Sequence, residues 1–402
     1  QLPLRRCLHR TYDALARRQQ EGPVMLRKLD ALNALRGLAS LAIAFYAWSQ
    51  FTVWADSPIV GQFYLFVDFF FVFTGFLIAE VYRDHLKTSA DLRKFVILRL
   101  AKLYPIHLFF LAPLAGIELM KLLYEVLDVQ QSGAAAFAAE HLSLLGLLAN
   151  LTLTQTFGVL ETPGWNEPSW YVATEFWVSF LFAIACLAGL MRSWAGRISL
   201  AIIAGAALVR MLIDPGSMKL ENGGAFAREV YSFGVGVAVH SFLRIGQVAR
   251  KLADIRRKYA GLIEAPLLVF VVLFIANADG LISFAAPPVF ALLIIVFADG
   301  RGTISQGLRT GVFRILGKFS YSIYMSHFLF ILPMRSILEA KGGQDLSMIA
   351  SYTVGLYLAL TIVIAIITEK LVEAPTRNAI RSWRDGQTWS GSALKQPRPR
   401  NA

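Results

Sequence analysis

Seven ionisable residues, Arg36, Asp68, Arg99, Lys102, His107, Glu175 and His327, stand within or at the edge of long apolar runs. A charge at the centre of a bilayer costs about 2.5–3.5 kcal/mol on insertion scales, so each marks a candidate functional position. Arg36 opens the first apolar run, and Arg99, Lys102, Tyr104 and His107 fall in RLAKLYPIH at the start of the third. Three such cations could cradle phosphates, the arginines in bidentate fashion. The plain alternative is a basic helix end whose long side chains reach back to water. Asn166, Ser169, Trp170 and Glu175 lie in NEPSWYVATEF, and Ser320, Tyr321 and His327 in KFSYSIYMSHF. A carboxylate at 175 could orient an imidazole, as Asp does in triads, bind hydroxyls, or simply complement a helix N-terminus. Trp170 and its neighbour Tyr171 suit either stacking on a sugar face or anchoring at the interface. Tyr321 and His327 suit helix packing or catalysis. Asp68 has no partner nearby in sequence, and burial would demand a cation. Arg36 or an arginine of the third run is the expected one. Arg210 is expected to meet Glu221, Glu229 or an anionic acceptor.

These residues need elements to hold them, and composition says which kind. Of 402 residues 56% are hydrophobic and only 16% charged, with mean hydropathy +0.54. Soluble domains carry about 25% charged residues, so a water-soluble enzyme is excluded. The apolar runs are continuous and do not alternate at period two, which excludes a porin-like barrel. The expected fold is an all-α polytopic membrane protein with about ten helices, near 33–54, 63–82, 101–127, 169–191, 198–213, 226–245, 259–277, 281–299, 317–336 and 347–372. Segment 134–157 is apolar enough for an eleventh crossing, so charge must arbitrate. Ten spans with both termini cytoplasmic put 33 of the 39 Lys and Arg residues on one side; an eleventh span would leave 19 there. The segment is therefore expected to be re-entrant or interfacial. The net charge of +12 then reads as cytoplasmic loop charge, with no nucleic-acid partner. Cys7 and Cys186 suggest neither a disulfide framework nor a metal site. Residues 1–30 form a basic tail that could lie as an amphipathic helix on anionic headgroups, 31–382 the membrane domain, and 383–402 a Gly/Ser/Pro-rich disordered tail.

Six segments in fixed order, RGLASLAIAFYA, FVDFFFVFTGFLI, RLAKLYPIHL, NEPSWYVATEFW, FSYSIYMSH and EAPTR, give the chain a specific likeness. From about Leu29 to Arg381 it resembles the membrane-bound acyltransferase-3 family. The resemblance implies a multi-pass enzyme of the bacterial inner membrane. Its implied reaction moves an acyl group, most often acetyl, from cytoplasmic acyl-CoA to a hydroxyl of a carbohydrate or glycoconjugate. It implies acyl-CoA as co-substrate with no bound cofactor, the glycoconjugate and membrane lipids as partners, and room for a homo-oligomer. It also implies donor binding near Arg36, Arg99, Lys102, Tyr104 and His107, the chemistry at positions 47 and 175, and acceptor or structural roles for Asp68, Asn166, Ser169, Trp170, Tyr321 and His327.

One position departs from that pattern. The family's first span carries an arginine and, eleven residues on, a histidine held to be essential; here Arg36 is followed by Ala47. A hydroxyl attacks a thioester slowly unless a base takes its proton, and neutral imidazole suits that task near pH 7. An alanine takes no proton, so the chain is expected to keep its binding sites and lose most of its rate. Three readings of Ala47 stand. It is a His→Ala substitution made to trap substrates, the mark of a non-catalytic or transport-type relative, or a sign that the base has moved to His107, His327 or Glu175. A transporter or flippase of a lipid-linked sugar is the rival function.

Overall fold

The computed structural model describes residues 29–127, 136–137, 142–158, 164–213, 218–219, 224–298, 300–331, 333–334 and 346–385; the expected tail helix at 1–30 and most of 383–402 lie outside these. Among the described residues every regular element is helical. Helix α1 spans Asp30–Ser49, α2 Phe66–Tyr82 after a 3-10 lead-in at Val60–Leu65, and α3 Ser89–Val126. The short α4 is Leu144–Thr152, followed by α5 Ser169–Leu187, α6 Trp194–Ile213, α7 Ala225–Leu243 and α8 Gly246–Ala276. Then come α9 Ala286–Phe297, α10 Thr303–Leu308, α11 Gly311–Ser326 and α12 Leu346–Thr368, which runs through a π-turn at Glu369–Glu373 into α13, Ala374–Asp385.

Local signals explain the long elements. Helix α3 starts on a capping box in which Thr88 Oγ1 accepts from Asp91 N and Asp91 Oδ2 accepts from Thr88 N, at 3.3 and 3.0 Å. At 38 residues it is about 57 Å long, so its basic first turns extend past the apolar stretch that follows. Helices α2 and α5 are the most buried, whereas α6, α8 and α12 turn Ile202, Leu262, Val269, Leu273 and Leu356 outward, the surface a bilayer requires.

Each of the ten expected segments falls on a helix, but only eight described helices are long and apolar enough to cross a membrane. The exceptions are α7 and α11. Helix α7 carries Arg228, Glu229 and His240, all buried, because it packs at the bundle centre, where lipid-facing hydropathy is not required. Helix α11 has 16 residues and includes Arg314 and Lys318. Among the described residues of the ambiguous 134–157 stretch the regular element is the nine-residue α4, about 14 Å long and half a hydrocarbon core.

Two helix pairs approach through glycine. A Cβ at Gly37 of α1 would stand 2.4 Å from Leu316 C of α11, and one at Gly236 of α7 would stand 2.0 Å from Val72 O of α2. With no hydrophobic drive between helices in lipid, such backbone approach supplies the packing. Gly236→Ala is therefore expected to cost about 3 kcal/mol, the upper end of ordinary overpacking, since the obstacle is backbone. A lowered unfolding midpoint in detergent checks this; an unchanged midpoint contradicts the close approach.

Candidate active site

The three expected cations converge, and they do so around a carboxylate. Arg99 Nη2 of α3 donates to Glu175 Oε1 of α5 at 2.7 Å and to Ser179 Oγ at 2.9 Å. Lys102 Nζ is 3.7 Å from the same Oε1. Arg36 of α1 lies over the rings of Phe70 and Phe73 at 5.5 and 5.6 Å, within electrostatic range of Lys102 and Glu175. Arg99 and Glu175 are buried, while the Lys102 side chain is 45% exposed. Among the described residues, the Nε atoms of Arg36 and Arg99 are buried without a hydrogen-bond partner. Arg99 is thus largely committed to the protein, and Arg36 and Lys102 are the cations with capacity for an anion.

Asp68 corrects an expectation. Its partner is Arg228 of α7, neither Arg36 nor an arginine of α3. Arg228 Nε donates to Oδ1 at 3.1 Å and Nη2 to Oδ2 at 2.8 Å, and Ser232 Oγ donates to Oδ1 at 2.9 Å. Arg228 Nη2 also reaches Tyr64 O at 3.0 Å, and its guanidinium lies between the rings of Tyr64 and Trp170. The reason is packing. The glycine contact holds α2 and α7 together and brings 68 level with 228, while Arg36 is held over two phenylalanines and Arg99 by Glu175. Arg228 and Ser232 share one face of α7, four residues apart, a signal that was available in sequence. Glu229 is one of the expected partners of Arg210. It is fully buried beside Thr174.

Several expected site residues fasten the segment around α4 instead. Tyr104 Oη donates to Leu151 O at 2.7 Å, and His107 Nε2 to Asn150 O at 3.0 Å, a carbonyl being able only to accept. Ser169 Oγ donates to Asn150 Oδ1 at 2.9 Å, and Gln155 Nε2 to Ser169 Oγ at 3.1 Å. Asn166 accepts the Ser169 amide at the turn into α5. The bonds to Leu151 O and Asn150 O satisfy backbone that would otherwise be bare within an apolar surround. Tyr321 Oη donates to Leu103 O at 2.9 Å and clamps α11 to α3.

The remaining residues meet at the other end of α1. A cavity of about 570 Å³ is lined by Ala47, Tyr46, Gln50, Tyr64, Glu167, Trp170, Lys219, Arg228, Tyr324 and His327, with Ile43, Phe328 and Ile331 among its apolar walls. Ala47 is eleven residues beyond Arg36, about 16 Å along the helix. The rings of Phe70, Tyr171 and Tyr324 meet one another with centroids 5.1–6.0 Å apart, bridging the Arg36 cluster and the cavity wall. The bundle therefore holds a cationic cluster and a polar-aromatic cavity at different depths.

A family model for the acyltransferase domain of the acyltransferase-3 type matches residues 29–368, most of the chain. The chain belongs to that family. It is also similar to the acyltransferase MdmB of Streptomyces mycarofaciens, with 25% identity over 350 residues, covering 77% of this chain and 80% of the relative. No solved structure matches. As a multi-pass membrane acyltransferase, the protein has the matched region running from the residue before α1 to the end of α12, so both the cationic cluster and the cavity lie inside it. Among the described residues of this acyltransferase no group of three His, Cys, Asp or Glu is placed to hold a metal, and Cys186 is buried and unpaired.

Proposed function

We propose that the protein is an O-acyltransferase of the bacterial inner membrane that moves an acyl group, acetyl in the simplest case, from cytoplasmic acyl-CoA to a hydroxyl of a carbohydrate or glycoconjugate. The observation that carries this reading is the pairing of the Arg36–Arg99–Lys102 cluster with a cavity one pantetheine length away along α1. The CoA phosphates meet Arg36 and Lys102, with Arg99 and Glu175 bracing the wall behind them. The pantetheine arm passes the Phe70–Tyr171–Tyr324 rings and brings the thioester to the level of residue 47. The acceptor fills the cavity, its sugar face against Trp170, Tyr46 or Tyr64 and its hydroxyls within reach of Gln50 and Glu167. Attack by the hydroxyl forms the C–O bond as the C–S bond breaks and CoA leaves.

Calorimetric titration of the purified chain with acetyl-CoA tests this without an acceptor. Saturable binding is expected, and Lys102→Ala is expected to weaken it about tenfold, the worth of one charge-assisted phosphate contact. Lys102 is the informative site because its exposed side chain can be removed without unfolding the bundle. No binding by a folded sample would overturn the reading. Ala47 favours a second reading, a transporter or flippase of a lipid-linked sugar that uses the cavity without chemistry, and such a protein has no need to hold acetyl-CoA.

A further inference from the structure

The reaction proposed above needs a group that takes the proton from the attacking hydroxyl, and Ala47 offers none. Three of the side chains singled out in the sequence could stand in. His107 is fully buried away from the cavity, with Nε2 spent on Asn150 O. Glu175 is bound to Arg99 and is not part of the cavity wall. His327 lines the cavity together with Ala47. Its Nδ1 faces the carbonyl of Tyr324, which can only accept, so the ring proton sits on Nδ1 and the neutral ring keeps its lone pair on Nε2. The backbone around it is fixed as well. Tyr357 Oη is 3.1 Å from both His327 O and Ala44 O, so one hydroxyl ties the histidine to α1 a turn before residue 47. Trp48 stacks on that tyrosine at 4.3 Å.

Resting on the acyltransferase reading, we propose that His327 is the general base of this protein. His327 Nε2 accepts the proton of the acceptor hydroxyl as the oxygen bonds to the thioester carbonyl carbon. When the C–S bond breaks, the imidazolium returns that proton to the CoA thiolate, so the ring ends neutral. The alanine at 47 clears the space beside the ring for the acceptor.

Thiol release from acetyl-CoA, with water or methyl glucoside as acceptor, measures the step. His327→Asn keeps an N–H for Tyr324 O but has no base, so a merely structural role predicts little change. The expected result is a loss of about 10²–10⁴-fold with acetyl-CoA affinity unchanged, while Ala47→His in the intact chain adds less than about tenfold. An unaltered rate in His327→Asn overturns the proposal. So does a chain that binds acetyl-CoA yet turns over only once Ala47→His is made, and that outcome leaves the acyltransferase reading standing. Absence of acetyl-CoA binding removes both. Diethyl pyrocarbonate mapping by mass spectrometry needs no acceptor: modification at His327 of the folded chain, slowed by acetyl-CoA, is expected, and an unreactive His327 overturns the assignment.

Discussion

Arg228→Met is expected to destabilise the protein by about 3–5 kcal/mol, because it strands the Asp68 carboxylate in a fully buried site. Among the described residues Asp68 would keep Ser232 as donor, and Tyr64 O would lose the Arg228 bond. The paired change Asp68→Leu with Arg228→Met removes both charges together and is expected to cost clearly less than the single substitution, since a buried ion pair often contributes little over an apolar pair of similar volume. Unfolding midpoints in detergent, compared across the cycle, measure the difference. A double variant as unstable as the single one would contradict the pairing of α2 with α7 through these residues. Arg228 also lines the cavity, so the single variant is expected to lose any acceptor binding along with stability.

Glu175→Leu is the second large effect, again about 3–5 kcal/mol. The substitution leaves Arg99 buried with Ser179 as its remaining side-chain partner, and it leaves Arg36 and Lys102 without the carboxylate they share. Adding Arg99→Met is expected to recover much of the loss. Were Glu175 instead an acceptor-binding group at the mouth of the site, its removal would lower turnover and leave stability unchanged. Thermal unfolding and acetyl-CoA titration on the same samples separate the two. Glu175 is expected to behave as the keystone of the donor-side wall, with loss of folding preceding any kinetic defect.

What was legible in the sequence is what one stretch of chain encodes by itself. Membrane character follows from uninterrupted apolar runs, and family membership from six local motifs in order; neither needs to know which helix touches which. Among the described residues of 134–157, α4 is nine residues long for a local reason, a serine cap at 143 and a left-handed Leu153 at its two ends. Arg36, Arg99 and Lys102 could be named together because each stands at the basic start of its own apolar run. Tyr104 and His107 share the motif with Arg99 and Lys102, and the motif does not say which way they face. On α3 they point instead at the carbonyls of α4.

Tertiary structure alone decided the partners. Asp68 and Arg228 are 160 residues apart, and Arg99 and Glu175 are 76 apart. Which cation meets which carboxylate depends on helix rotation and on how closely backbones approach, as at Gly236. Hydropathy could not rank α7 as central, because a helix enclosed by other helices satisfies Arg228 with protein groups where a lipid-facing helix could not. Nor could spacing along the chain bring His327 to Ala47, since they meet only where the ends of α1 and α11 enclose one cavity. The sequence by itself determined the solvent, the family and the set of reactive side chains. The packing determined how they pair, because electrostatic partnership acts across space and leaves no periodicity along the chain.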